Sequence, residues 1–257
     1  MKVILPSIIM IICILVLSIK MYQTNEEKKQ QEAFNNEIFN ANIELTEEEK
    51  QNIEEEFKRD IALSITVVGD LLCENNILNS VQNNNYNFSE IFSNIKKHTN
   101  NADITLFPLE TNFANEVYSG KSIYNSPSNL AQEIKNIGAD IVFLANNHSM
   151  DYGINGAKET VKYLREIGHE TVGIKLDENE SNILIKEYRN IKLAFLSYTY
   201  GVNKKEEGYK KIINISNQET IKNDIEDAKK QGAEYIIASM HWGNAVGSSL
   251  NKEQMEL

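Results

Sequence analysis

Cysteine is scarce: the 257 residues hold two, Cys13 and Cys73. The first lies inside an apolar N-terminal run and the second far downstream, so a disulfide between them is not expected and no cysteine-based metal motif can be written. Clustered positive charge is missing as well. Lys and Arg total 26 against 37 Asp and Glu, a formal charge of −11, and no Lys/Arg-rich block supplies the surface that neutralises duplex phosphates. Nucleic acid is therefore not an expected partner. Histidine is limited to four residues, and each of them can be weighed singly.

What is present begins with a charge-free stretch from Val3 to Ile19, bounded by Lys2 and Lys20. It is at the short end of the length that crosses a bilayer as a helix. Residues 1–20 read as a signal anchor. A cleaved signal peptide is the competing reading, but KMYQTNEEKK after the run lacks the small-x-small pattern of a cleavage site. Lipidation at Cys13 is disfavoured because apolar sequence continues beyond it. The charges around the run, Lys2 against Lys20, Lys28 and Lys29, do not set its orientation. Residues 21–62 are polar and acidic and read as a stalk, with a helix over 47–59 opened by a Thr46/Glu49 capping box. That acidic run is taken as a solvated face rather than a binding site.

From Ser64 the texture changes to short β-rich apolar runs alternating with helical patterns, the signature of an α/β domain over 63–257. Strands are expected at 64–69, 103–107, 140–145, 183–188, 191–198 and 234–240, with Arg189-Asn190 as a hairpin turn. Ser126 is placed to cap a helix starting at Pro127, and Gly138, Gly168 and Gly232 fall where helices end. KNIGADIVFLANNH (135–148) and KKQGAEYIIASMHW (229–242) echo one another, and read as two βα units of one sheet.

Ligand sites of open α/β sheets lie off the carboxyl ends of the strands, so polar residues directly after apolar runs are the candidates. Asp70 follows the first strand, Glu110 the second, Asn146-Asn147-His148 with Asp151 the third, and His241 the last. Carboxylate, amide and imidazole donors of this kind suit hard-to-borderline divalent cations. Singly, Asp70, Glu110 or His241 is more readily a structural residue. His148 is stronger, since three polar groups follow a buried strand where a turn needs fewer. His98 and His169 sit away from strand carboxyl ends and read as surface residues. Cys73 has no basic neighbour to depress its pKa and reads as a small buried residue.

The blocks VVGDLLCENN, PLETNFAN, LANNHSMDYGINGAKETVKYLREIG and MHWGN, in this order across roughly 64–247, resemble the CapA/PgsA family of poly-γ-glutamate capsule synthesis proteins. That family is similar to calcineurin-like metallophosphatases. The resemblance implies a layered α/β sandwich with mixed sheets. It also implies Asp70, Glu110, Asn147 and His241 at metal-ligand positions, and His148 in the catalytic place with Asp151 orienting it. The cofactor implied is a divalent metal (Mn, Mg, Fe or Zn), with no organic cofactor. Implied partners are the membrane, polymer synthase or export subunits and an anionic polymer such as poly-γ-glutamate. The location implied is a single-pass place in the cell membrane with the domain extracytoplasmic. Pro108 stands where the family more often has Asn, and the family's later Gly-His-His-Pro-His block has no counterpart here, so a C-terminally truncated domain is expected. Three functions follow as expectations: capsule assembly, metal-dependent hydrolysis of phosphoesters or polymer amides, and an inert scaffold of the same fold.

Overall fold

The computed structural model describes residues 46, 62–114, 117–243 and 250–256. The expected anchor, and the stalk helix over 47–59, lie outside the described residues. Among the described residues no helix is long and apolar enough to cross a membrane. Residues Ala62–Leu257 form one compact unit, and the account below concerns that unit alone.

Its first sheet is parallel, with strand order β1-β2-β5-β6: β1 Ile65–Val67, β2 Ile104–Pro108, β5 Ile141–Phe143 and β6 Glu170–Val172. The two central strands are apolar on both faces, as strands covered on both sides must be. One face packs on α4 (Ser128–Asn136) and α5 (Gly153–Glu166), through Leu130, Ala131, Ile134, Ala157, Val161 and Leu164. Those positions recur at helical spacing, which gives each helix a single apolar stripe. Between β1 and β2 run α1 (Asn75–Gln82), α2 (Ser89–Phe92) and α3 (Lys96–Thr99). A two-stranded hairpin, β3 (Ser119–Lys121) with β4 (Ile123–Asn125), precedes α4.

The second sheet has order β7-β8-β9: β7 Leu184–Tyr188 runs antiparallel to β8 Ile191–Thr199, and β9 Tyr235–His241 runs parallel to β8. Arg189 and Asn190 take φ of 49° and 64°, the left-handed pair that closes a two-residue hairpin with the right twist. The crossover from β8 to β9 carries α6 (Tyr209–Ile212) and α7 (Gln218–Lys230), and α8 (Lys252–Glu256) follows β9. The sheets face each other across Ile104, Leu106, Ile141, Phe143, Val172, Leu193 and Phe195. Leu196, Tyr198 and Ile221 form a third cluster on the far face. The result is a layered sandwich of parallel and mixed sheets, as expected.

All six expected strands form, and Gly138, Gly168 and Gly232 follow helices with φ of 92°, 91° and 86°. Three expectations are corrected. The echoing segments do not share a sheet, because β5 belongs to the first and β9 to the second. Both are apolar strands after a Gly-Ala turn, β5 buried and β9 only half-buried, and that local pattern carries no information about the neighbour each strand finds. Ser126 is not a cap: its hydroxyl bonds Thr111 Oγ1 at 2.8 Å, and the helix begins one residue later than expected, at Ser128 after Pro127. His169 is not on the surface. It is 3% exposed, because it leads into β6 and its Nε2 lies 3.2 Å from the carbonyl of Ala131.

Candidate metal centre

Four strand ends deliver the candidate side chains to one place. Asp70 and Glu110 lie just past β1 and β2, bridged there by Leu71 pairing with Leu109. His241 is the last residue of β9, so the second sheet contributes to the same edge as the first. One donor atom from each of Asp70, Glu110 and His241 lies within 4.8 Å of the other two. His241 Nδ1 is 3.1 Å from Glu110 Oε1 and 3.9 Å from Asp70 Oδ2, and its Nε2 is 2.8 Å from Asn147 Oδ1. Asp70, Glu110, Asn147 and His241 are thus brought together.

The loop after β5 is built by Asn146, which is buried and spends its side chain on the backbone. Its amide donates to the carbonyls of Leu109 and Leu144, and its Oδ1 accepts from the N–H of His148. This ties the loop to the end of β2 and turns Asn147 and His148 toward the site. His148 Nδ1 bonds Asp151 Oδ2 at 2.8 Å. Asp151 is an acceptor when ionised, so Nδ1 carries the proton and Nε2 is left as the free nitrogen. The same Oδ2 accepts the backbone N–H of Tyr124 at 2.7 Å, and the Tyr124 ring meets the His148 ring edge-on at 4.5 Å. Asp151 Oδ2 thus fixes the orientation of the His148 ring through its Nδ1. Its second oxygen is buried without a hydrogen-bond partner.

The electrostatics fit a cation. Burial, and then the charge of Asp70, push the Glu110 carboxyl up to about 7. Neither carboxylate pairs with a Lys or Arg among the described residues. Burial lowers His241, against the opposing pull of Asp70, which keeps the imidazole in the neutral form that coordinates metals. Two carboxylates and a neutral imidazole converging without a counter-charge form a donor set suited to a divalent ion.

Three neighbours were not legible in the sequence. Asn203 donates its backbone N–H to the carbonyl of Asn147 at 2.8 Å, and its side-chain nitrogen lies 3.4 Å from His148 Nδ1. Tyr200 lies nearly parallel to the His241 ring at 6.2 Å. Tyr124 arrives on the β3–β4 hairpin. Tyr124 and Asn203 do not directly follow an expected strand, and Tyr200, which does follow β8, carries none of the carboxylate, amide or imidazole groups that strand-end reasoning looks for. Cys73 is buried as expected, and burial pushes its thiol up to about 11. His98 is exposed, as expected.

Comparison with known proteins bears directly on this edge. The model of the family described as "Bacterial capsule synthesis protein PGA_cap" matches residues 64–257, which include every candidate ligand. The chain belongs to that family. Among its relatives, "Capsule biosynthesis protein CapA" of Bacillus anthracis is 24% identical over 215 residues, covering 76% of this chain and 50% of that protein. "PGA biosynthesis protein CapA" of Bacillus subtilis (strain 168) is 26% identical over 128 residues, covering 48% of this chain and 33% of that protein. The chain thus spans half the length of the first relative, and its alignment takes in a third of the second.

Proposed function

We propose that this chain is a membrane-anchored capsule-biosynthesis protein whose domain lies outside the cytoplasm. There it works with synthase or export subunits in making or exporting poly-γ-glutamate or a related anionic polymer. Family membership, the names of the two relatives and the apolar N-terminal run support this reading. At the level of chemistry, we infer a metal-dependent hydrolytic centre acting on a phosphoester or a polymer amide. The observation that carries it is the convergence of Asp70, Glu110 and His241 at the carboxyl edge of both sheets.

Asp70, Glu110 and His241 would hold the ion, with Asn147 fixing the His241 ring. When bound, a divalent cation such as Mn, Mg, Fe or Zn supplies Lewis acidity to a phosphoryl or carbonyl oxygen. Asp151 holds the His148 tautomer, and the free Nε2 is the atom placed to pass a proton or, once protonated, to steady a developing oxyanion.

The test uses the purified full chain in detergent. Manganese binding is measured by calorimetry for the parent and for Asp70→Ala, and hydrolysis of a generic phosphoester is compared for the parent, Asp70→Ala and His148→Ala. We expect Asp70→Ala to weaken binding about tenfold or more, and His148→Ala to lower the rate while manganese still binds. Equal rates in all three proteins remove the hydrolase reading and leave a scaffold. Unchanged surface polymer after deletion of the gene and its paralogues removes the capsule reading.

A further inference from the structure

The segment 147–154, which carries the His148–Asp151 pair, is gripped at both of its ends by one loop of the other sheet. That loop leaves β8 at Tyr200, whose N–H donates to the carbonyl of His241 at 3.0 Å. Val202 is buried in the same apolar cluster as Ala157 and Val161 of α5. Next to it, the Asn203 N–H donates to the carbonyl of Asn147 at 2.8 Å, and the Asn203 side-chain nitrogen lies 3.4 Å from His148 Nδ1. Further along, Glu206 Oε2 accepts the backbone N–H of Ile154 at 3.0 Å.

Ile154 lies in the first turn of α5, where backbone N–H groups have no partner inside the helix. Tyr152, the residue that precedes the helix, makes no side-chain cap hydrogen bond. The carboxylate arriving from the β8–α6 loop takes that place, at a helix end whose dipole favours negative charge. The Ile154 N–H, and with it Lys204 Nζ at 3.3 Å, hold the Glu206 carboxyl below its ordinary range. Position 153 is shaped around the same group. Gly153 takes φ of 69°, and a Cβ there would run into Glu206 Oε1. The glycine that opens α5 thus keeps clear a seat for a residue more than fifty positions away.

We propose that residues 203–206 are a clamp on the His148–Asp151 pair, and that Glu206 is its positioning residue. Asn203 holds the segment at Asn147, just before His148, and Glu206 holds it at Ile154, just after Asp151 and the turn that follows. Only Lys204 and Lys205 separate the two grips. A link of at most about 3.6 Å per residue passes a displacement of Glu206 on to Asn203. With Glu206 unseated, the buried side chain of Val202 restrains the inner end of the loop alone, and the bond from Asn203 to Asn147 opens more often. Because the clamp comes from the sheet that supplies His241, it sets His148 against the metal-ligand side of the centre. Its meaning for catalysis rests on the hydrolase reading, whereas the clamp itself does not.

The experiment follows amide hydrogen exchange by NMR in the full chain in detergent, for the parent, Glu206→Ala, Glu206→Gln and Glu206→Asp. In Glu206→Ala we expect the amides of Ile154 and Asn203 both to exchange at least about tenfold faster, while the amide of Phe195 in β8 keeps its parental rate. Glu206→Gln retains an acceptor oxygen at the same reach, and should hold both amides within about threefold of the parent. Glu206→Asp keeps the charge but loses the reach, so both amides should again be faster, and it decides the matter if the alanine variant does not fold. Acceleration of Ile154 alone overturns the proposal, because Glu206 is then a helix cap and nothing more. So does an unchanged Ile154. Manganese-dependent hydrolysis of a generic phosphoester provides the second readout: Glu206→Ala should lower kcat with KM and manganese affinity unchanged, and Glu206→Gln should restore it. Parental kcat in Glu206→Ala overturns the positioning role. A parent that hydrolyses nothing removes the hydrolase reading alone, since the exchange rates decide the clamp without it.

Discussion

Glu110 carries the largest electrostatic cost in the site, and the sign of that cost can be measured. Its carboxyl is pushed up to about 7 from an ordinary value of 4.5, by burial and then by Asp70. The ionised form is therefore penalised by folding. The penalty is absent below about 4.5, grows as pH rises toward 7, and is complete above that. In EDTA at pH 8, Glu110→Gln is expected to be more stable than the parent by about 1 kcal/mol or more in urea unfolding, with the gain gone near pH 4.5. With manganese the order reverses, because a cation that binds only the folded state stabilises the parent and has lost a ligand in the variant. His169 gives a second prediction, away from the site. Burial lowers its pKa below 6.5, so the unfolded chain takes up a proton that the folded one resists. Its contribution is intact above 6.5 and is lost as pH falls below it, at up to about 1.4 kcal/mol per pH unit. The stability difference between parent and His169→Gln should narrow from pH 7.5 to pH 5.5, and a constant difference would contradict the buried neutral ring. The two histidines used by the site were legible because each follows an apolar run. His169 was misplaced because the strand it introduces, Glu170–Val172, holds a single apolar residue and shows no apolar run.

The six strands that fall in apolar runs rich in Ile, Val, Leu and aromatic residues were legible, and so was the turn at Arg189-Asn190, because composition and turn chemistry agree there. The β3–β4 hairpin was not. Its strands are three residues each, and they turn at Ser122, which takes φ of 66°, without the Asn-Gly or Asp-Gly pair that announces such turns. What fixes the hairpin is a long-range contact. A Cβ on Gly120 would meet the backbone of Cys73, Glu74 and Asn75, and the Gly120 N–H donates to Asn75 Oδ1 at 2.8 Å. The hairpin can lie against the start of α1 only because residue 120 has no side chain. Tyr124, at its far end, then reaches Asp151 and His148. Gly120→Ala is expected to cost about 2–3 kcal/mol by chemical denaturation. It should also lower hydrolysis more than manganese affinity, since it disturbs the groups that hold His148 and leaves Asp70, Glu110 and His241 on their strands. Equal loss of both would mean that the hairpin supports the metal ligands themselves.

Asp70 and Glu110 come from one sheet and His241 from the other, so the candidate metal centre stays assembled only while the two layers hold their relative register. The inter-sheet cluster around Phe143, Leu193 and Phe195 is what sets that register, and the site inherits its rigidity from apolar packing rather than from its own polar contacts. No sequence motif records such a dependence, because the residues responsible are ordinary core positions scattered over both sheets. Where the domain works is a separate question with its own measurement. The proposed hydrolytic centre can meet a polymer already at the surface only from the outer side of the membrane, and the charge-free run from Val3 to Ile19 is the segment proposed to hold it there. Cells producing the full chain should retain it in the membrane fraction after alkaline carbonate washing, and a form lacking residues 1–20 should not sediment with membranes. Protease added to spheroplasts should degrade residues 62–257 while a cytoplasmic marker survives. Protection of the domain in intact spheroplasts, with digestion only after lysis, would place the metal centre on the inner face. The polymer would then have to be met before export rather than after it.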